Sequence, residues 1–385
     1  MGSVQKYKTT EGMRYLVRYK KPDGTHANKR GFRTKYDAQQ FLANVSVSIV
    51  SKTYIDPKDA RVRIDQLSEV WLADQQAVLK PSTFHALESS HRVHVIPRWG
   101  KVWVDQVRYS DVRAWVTELA NQRSASTTIR AHGILAAVLD IAVWDRRIAE
   151  NPARGIKLPK KRPKRRVYLT HGQVDLLARQ SLHPDLLYFL AYTGLRWGEA
   201  TALRISDVNL ARRRVTVQEN AVLVGGTIHT GSPKTHATRS VPYPDFLDDL
   251  VRLGQAHKHP DDYLFGTGSE PLRLPNSQDG WFAGAVRRAM RADPGFPRLT
   301  PHDLRHTAAS LAISAGANVK AIQRMLGHAS AAMTLDTYAD LFDDDLDYVA
   351  QALSSARRHS AVHVLEAGAS HLASIPSPAA GIDLS

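Results

Sequence analysis

The 385-residue chain contains no cysteine. That absence excludes a disulfide framework, a Cys-ligated zinc or iron–sulfur site, and a cysteine nucleophile. It also lacks any uncharged apolar run near the roughly 18 residues a membrane helix needs, so no membrane partner is expected. Its first residues, MGSVQKYKTT, are polar and basic with no apolar stretch behind them, so no signal peptide is expected. Lys6 stands where a myristoylation motif takes Ser or Thr. With 23 glycines and 19 prolines the chain is neither collagen-like nor low in complexity. The expectation is a cytoplasmic globular protein of two to three domains.

Acidic residues are in short supply. Asp and Glu total 37 against 52 Lys and Arg, a formal charge of +15 at pH 7. Such an excess attracts polyanions, either nucleic acid or an anionic membrane surface.

Residues 1–60 form a basic first segment. Arg14–Lys20 alternates as a strand does, Pro22-Asp23-Gly24 supplies a turn, and His26–Phe32 fits a second strand. Thr34–Val47 reads as a helix with Phe41, Leu42 and Val45 on its apolar side, and Ser51–Arg61 as a linker. Residues 61–158 carry helical periodicity. Ile64, Leu67, Val70 and Trp71 make one stripe, and Ser110-Asp111 can cap a helix bearing Val112, Trp115, Val116 and Leu119. A further helix runs from about Ser126 to Trp144 and stops before Asn151-Pro152. In Lys157–Val167 seven of eleven residues are basic, and two prolines argue for an extended segment. Lys160, Lys161, Arg162, Lys164, Arg165 and Arg166 there read as a DNA-tracking linker, with a nuclear-localisation signal as the alternative.

Residues 159–350 mix both periods. Helices fit Gly172–Gln180, Asp185–Tyr192, Arg196–Leu203 and Trp281–Met290, and then the rest to about Ala350. Strands fit Arg214–Val217, Ala221–Val224, Thr227–His229 and Arg239–Pro242, with Gly225-Gly226 as a hairpin turn. The tail, 351–385, is poor in aromatics and expected to be partly disordered or to dock onto a neighbouring subunit.

Chemistry concentrates in four short segments. Thr193–Ala200 (TGLRWGEA) sets Arg196 at a helix start behind a glycine turn, with Glu199 three residues on. Thr300–His306 (TPHDLRH) opens another helix, with Thr300 as cap, Pro301 first inside, and His302 and Arg305 on one face. Leu326-Gly327-His328 ends a helix with a glycine suited to a left-handed cap. Ten residues later comes Tyr338. Taken singly, each is more simply structural: a surface ion pair, a histidine at a helix end, a half-buried tyrosine. Together they make a phosphoryl-transfer set. Two arginine forks can hold both non-bridging oxygens of a phosphodiester without a metal, and tyrosine is a covalent nucleophile once cations favour its phenolate. His85, His91 and His94, and His257 with His259, lack the carboxylate context of a metal centre, so no metal and no cofactor are expected.

In order, TGLRWGEA, SPKTHATRSVP, HDLRHTAAS, LGHAS and TLDTYAD resemble the tyrosine recombinase (phage integrase) family, and none of the matched positions departs from its pattern. IRAHGILAAVLDIAVWDRRIAENP is similar to the family's core-type DNA-binding domain. The resemblance implies a multidomain, mainly α fold with small β-sheets: an N-terminal sheet plus helix, a helical SAM-like core-binding domain, and a mixed α+β catalytic domain. It implies Tyr338 as nucleophile forming a 3′-phosphotyrosyl link, and Arg196 and Arg305 on the phosphate. Lys234, in a strand turn, becomes the acid for the leaving 5′-oxygen, with a basic hairpin touching the DNA backbone as its plainer reading. His302 takes or positions the tyrosine proton, His328 bonds the phosphate, and Glu199 supports; His306 is expected to be structural. The first 60 residues look like an arm-type DNA-binding domain, with Arg14, Arg18, Lys20, Arg30 and Arg33 facing DNA, or simply a solvated basic face. The implied partners are double-stranded core-type and arm-type attachment sites, a homotetramer on DNA, a host DNA-bending protein and an excision factor. The implied task is integration and excision of a mobile element, a prophage or phage genome, in a bacterial host. Two other readings remain: a non-catalytic DNA-binding regulator, since Ile313–Leu326 scans as a helix-turn-helix, and a topoisomerase IB-like enzyme that cuts and reseals one strand.

Overall fold

The structure, a computed structural model, describes residues 2–161, 166–231 and 238–339, together with 353, 354 and 357. Readings that fall on Arg162, Lys164, Arg165, Lys234, the helical stretch expected over 340–350 and most of the tail lie outside the described residues. Contacts group the chain into two compact units, residues 1–163 and 164–385.

The first unit opens with an antiparallel sheet of β1 (Ser3–Thr9), β2 (Gly12–Lys20) and β3 (His26–Phe32), with β2 in the centre. Alternation along β2 buries Val17 and Tyr19 against α1 (Lys35–Val50), where Ala38, Phe41, Leu42 and Val45 complete a small core. Arg18 and Lys20 are left exposed on the opposite face. Thr34 caps α1 by accepting from the Asp37 N–H at 3.0 Å. The segment read as a linker is pinned to the sheet. The Tyr54 hydroxyl bonds that of Tyr19 at 3.1 Å, and Asp56 pairs with Lys21.

A separate core belongs to α2 (Ile64–Val78), α3 (Pro81–Ser90), a π-helical turn at His91–Val95, α4 (Ile96–Trp99), α5 (Tyr109–Gln122) and α6 (Ala125–Trp144). Trp99 meets Trp115 edge-on at 5.8 Å inside it. Two expectations need correction. Val70 is exposed, because residues 64, 67, 68 and 71 fill the buried arc of α2 and position 70 falls outside it. The helix expected to be capped by Ser110-Asp111 begins at Tyr109 with Arg108 as its N-cap, so both residues lie in its first turn. By length and composition α6 could cross a membrane, but half of its apolar stretch is buried inside the protein, with Ile134, Leu135, Val138 and Leu139 in the core.

The second unit runs through α7 (His171–Arg179), α8 (Pro184–Thr193), α9 (Trp197–Thr201), β4 (Val208–Asn209), β5 (Arg214–Val217), β6 (Asn220–Val224), β7 (Thr227–Gly231) and β8 (Arg239–Pro242). It then continues through α10 (Asp248–Gln255), α11 (Trp281–Ala292), α12 (Asp303–Ser314), α13 (Val319–Leu326) and α14 (Ala331–Tyr338). The strands form a β4-β5-β8 sheet and a β6-β7 hairpin. The main core gathers Leu177, Leu187, Phe189, Leu190, Val215, Val241, Phe282 and Leu304. A smaller cluster of Ala309, Ile313, Ile322, Leu326 and Tyr338 joins the last three helices.

Here too helix starts differ from expectation. α9 spans only five residues instead of Arg196–Leu203. α12 begins at Asp303, after Thr300 and Pro301, because the Asp303 carboxylate accepts from both the Thr300 N–H and hydroxyl at 2.7 Å and fixes the preceding turn.

α8 stops at Gly194, which sits at φ 64° with the Leu326 side chain 2.7 Å and Ala308 3.3 Å from where a Cβ would stand. A side chain there meets both a left-handed backbone and an occupied space. Gly194→Ala is therefore expected to lower unfolding stability by about 2–4 kcal/mol in urea denaturation.

Candidate active site

The site is assembled around a carboxylate. Glu199, at 2% exposure, stands in the first turn of α9 and caps it by accepting from the Arg196 N–H at 3.0 Å. The Arg196 side chain returns a 2.8 Å bond to the same carboxylate. Arg239, at the start of β8, donates to it through both terminal nitrogens at 3.1 and 2.6 Å. Burial pushes the Glu199 carboxyl up, but the Arg239 hydrogen bonds and the two positive charges outweigh it and hold the group below the usual carboxylate range. Arg239 also reaches across to the Met325 carbonyl with its Nε, at 3.2 Å, tying the sheet to α13.

Arg305, at 3% exposure, is fixed by two backbone carbonyls: Gly194 at 2.7 Å and Leu326 at 2.6 Å. One carbonyl follows α8 and the other closes α13, so the guanidinium joins the ends of two helices. Burial, then the neighbouring Arg196 charge, lower its pKa to about 10, which leaves it cationic at pH 7. Gly327 follows in a left-handed C-cap at φ 66°, and the Arg239 guanidinium passes where its Cβ would be. The expectation of a left-handed cap at this glycine is met.

Three histidines and the tyrosine complete the cluster. Tyr338, at the last turn of α14, is fully buried, and its hydroxyl lies 3.1 Å from Nδ1 of His306. His302 stands edge-on to His306 with ring centres 5.1 Å apart. The His328 ring lies nearly parallel to that of Tyr338 at 6.4 Å, and its Nδ1 is 2.9 Å from the Thr334 hydroxyl. Burial raises Tyr338 to about 12, against the pull of Arg305. Burial and cationic neighbours lower His306 and His328 to about 4, so both imidazoles are neutral at pH 7.

The structure thus brings Arg196, Glu199, His302, Arg305, His328 and Tyr338 to one place; Lys234 lies outside the described residues. Two residues join them that the sequence reading did not use. Arg239 lies within the SPKTHATRSVP segment, and nothing in the sequence says that a residue 40 positions away shares the Glu199 carboxylate. His306, read as structural, touches Tyr338; its i, i+4 spacing from His302 on α12 was the available signal. Elsewhere, Arg18, Lys20, Arg30, Arg33, Lys160, Lys161 and Arg166 are exposed, and Arg14 pairs with Glu11 at 3.2 Å. Among the described residues no group of three or more His, Asp or Glu is placed to hold a metal ion.

Residues 173–344 match the model of the Phage integrase family, and residues 64–158 match that of the Phage integrase central domain. The chain belongs to the phage integrase family, the tyrosine recombinases. It is 27% identical to the integrase of Mycobacterium phage L5 over 348 residues, covering 86% of this chain and 91% of that protein. It is 28% identical over 262 residues to the transposase from transposon Tn916 of Enterococcus faecalis, covering 61% of this chain and 64% of that one. Its fold is shared with the Tn1549 transposon integrase in complex with circular intermediate DNA, at TM-score 0.62 and 22% identity over 74% of this chain and 99% of that one. It is also shared with lambda integrase, solved as a tetramer bound to a Holliday junction, at TM-score 0.56 and 16% identity over 85% and 96%.

Two measurements check the electrostatics. Glu199→Gln removes the charge that two guanidiniums share and is expected to cost about 3–5 kcal/mol of stability in chemical denaturation. In ring-carbon NMR, two histidine signals should hold their neutral shifts down to about pH 5 and be lost in His306→Asn and His328→Asn respectively. The sign is that of a depressed folded pKa: the unfolded chain takes up these protons first, so acidification from 6.5 toward 4 destabilises the fold.

Proposed function

We propose that this recombinase cuts and rejoins DNA at attachment sites through Tyr338, whose hydroxyl oxygen attacks the scissile phosphate and leaves a 3′-phosphotyrosyl link and a free 5′-hydroxyl. The observation that carries this is the meeting of Arg196, Arg305, His328 and Tyr338 in one cluster, with Arg196 held on the buried Glu199. Arg196 and Arg305 bind the non-bridging oxygens and offset charge in the transition state. His328 Nδ1 lies 2.9 Å from the Thr334 hydroxyl, and in the tautomer in which it accepts that proton, Nε2 carries the ring proton and donates to the phosphate. His302, packed against His306, helps position the tyrosine proton, Lys234 protonates the leaving 5′-oxygen, and Glu199 holds Arg196 in place. The 5′-hydroxyl of another strand then reverses the step. Bond energy is conserved in the link, so the reaction needs no ATP, and the two arginines supply the charge neutralisation that a metal ion would otherwise give.

The surrounding chain fits integration and excision of a mobile element in the cytoplasm of a bacterial host. Residues 1–60 form the arm-type domain, with Arg14, Arg18, Lys20, Arg30 and Arg33 toward DNA. Residues 61–158 grip core-type sites, residues 159–350 carry catalysis, and the basic segment ending at Arg166 tracks the backbone between them. Residues 351–385 dock onto a neighbouring subunit. The active assembly is a homotetramer on two DNA sites, aided by a host bending protein and an excision factor. The tetrameric lambda integrase on its junction, which has the same fold, supports this.

The test uses nicked duplexes with a randomised core, from which the short cleaved strand diffuses away and traps the adduct. In EDTA and without nucleotide, wild-type protein should yield a denaturation-resistant, protease-sensitive protein–DNA band whose sequences converge, and Tyr338→Phe should yield none. Salt-sensitive binding with no adduct at any sequence would overturn the recombinase reading in favour of a regulator.

A further inference from the structure

In a cluster where burial holds Tyr338 near 12, the phenol keeps its proton until something takes it. Tyr338 is fully buried, so bulk water is not at hand. The hydrogen bond found at its hydroxyl is the 3.1 Å contact with His306 Nδ1. The rings meet edge-on with centres 5.7 Å apart, and the 3.1 Å contact sets the Nδ1 side of the imidazole against the phenol oxygen. His302 stands one ring further away, against His306.

We propose that His306 is the catalytic base of the cleavage step: its Nδ1 positions the Tyr338 hydroxyl and accepts its proton as Tyr338 attacks. The inference rests on Tyr338 being the nucleophile. In the step, the Tyr338 O–H bond breaks and the proton passes to His306 Nδ1. The Oη–P bond forms as the P–O5′ bond breaks, and the 5′-oxygen is protonated by Lys234. When the 5′-hydroxyl of the incoming strand attacks, Lys234 takes up the proton that hydroxyl loses and His306 returns its own proton to the departing tyrosine.

The neighbours of His306 explain why it is idle without DNA. His302, Asp303 and Arg305 face it from α12, Arg166 from the segment before α7, Tyr338 from α14, and His328 from the turn after α13. Of these only Asp303 favours an imidazolium, and with burial the ring is held neutral, at about 4. A neutral imidazole can accept from Tyr338, which puts its own proton on Nε2. A phosphodiester seated between Arg196 and Arg305 adds negative charge to the same space and raises the proton affinity of His306 toward that of a working base. The base is thereby engaged only when there is a bond to cut.

Single-turnover adduct formation on the half-site recovered above tests this between pH 5 and 9, in wild type, His306→Asn, His306→Phe and His302→Asn. Asparagine places an oxygen near Nδ1 and can orient the hydroxyl but not take its proton; phenylalanine does neither. Loss of a general base is expected to slow cleavage about 10²-fold or more in His306→Asn, and further in His306→Phe. The wild-type rate should level off above an acid limb, a limb that His302→Asn keeps and that His306→Asn replaces by a rate rising steadily with pH. Equal slowing in both His306 variants with the wild-type pH profile would mean a merely structural ring and overturn the proposal. So would loss of the acid limb in His302→Asn alone. A second reading needs no variant: nitrogen NMR of the free protein should show His306 as the Nε2–H tautomer, and an Nδ1–H tautomer overturns it. A wild-type adduct that the His306 variants form at the wild-type rate sinks this inference alone, whereas no adduct from wild type sinks the recombinase reading with it.

Discussion

Everything at this site hangs on one buried carboxylate between two guanidiniums. Glu199 alone would be a costly group at 2% exposure, and its penalty is met by the Arg239 and Arg196 bonds it accepts. The consequence is geometric. Arg196 leaves a glycine turn at the end of α8, and Arg239 arrives on β8 from the other side of a hairpin segment; the carboxylate fixes one against the other. The Arg239 bond to the Met325 carbonyl carries the same constraint to α13, whose last carbonyl, that of Leu326, holds Arg305. A single acidic side chain therefore sets the relative positions of three arginines that come from three parts of the chain.

Three guanidiniums around one carboxylate leave the cluster short of negative charge. That shortage explains the histidines. His306 and His328 stay neutral because protonation would add to an existing excess of positive charge in a space with little water. The same shortage favours a phosphodiester entering between the arginines, and the cluster is arranged so that the substrate is the missing counter-ion. Binding and catalysis then share one electrostatic cause, since the charge that attracts DNA also stabilises the extra charge of the transition state.

Much of this was legible in the sequence because it is local. The TGLRWGEA and HDLRH segments put their chemistry within one or two helical turns, and Gly194 and Gly327 announce the left-handed turns that end α8 and α13. The alternation of Arg14–Lys20 and the Gly225-Gly226 hairpin are short-range signals of the same kind. What was not legible is whatever depends on distance. Arg239 as second partner of Glu199 rests on the tertiary fold that brings the start of β8 within side-chain reach of α9, and Tyr54 and Asp56 look like linker residues until the sheet they bond to is in view. The start of α12 was misplaced for a subtler reason: Thr300-Pro301 has good capping chemistry, but Asp303 turns back onto Thr300 and the helix waits for it.

His306 shows how a motif can hide one of its own residues. Reading H-x-x-R as a pair directs attention to His302 and Arg305, which lie on opposite sides of the burial boundary, one exposed and one at 3%. The next residue after the arginine is half-buried, and it is the one whose ring nitrogen meets the tyrosine. On a helix, positions i and i+4 are neighbours, so His302 and His306 form a file that runs from solvent toward the fully buried hydroxyl. For the proposed role of Tyr338, a buried hydroxyl needs an acceptor in contact with it, and along that file the inner histidine is the one within hydrogen-bond distance.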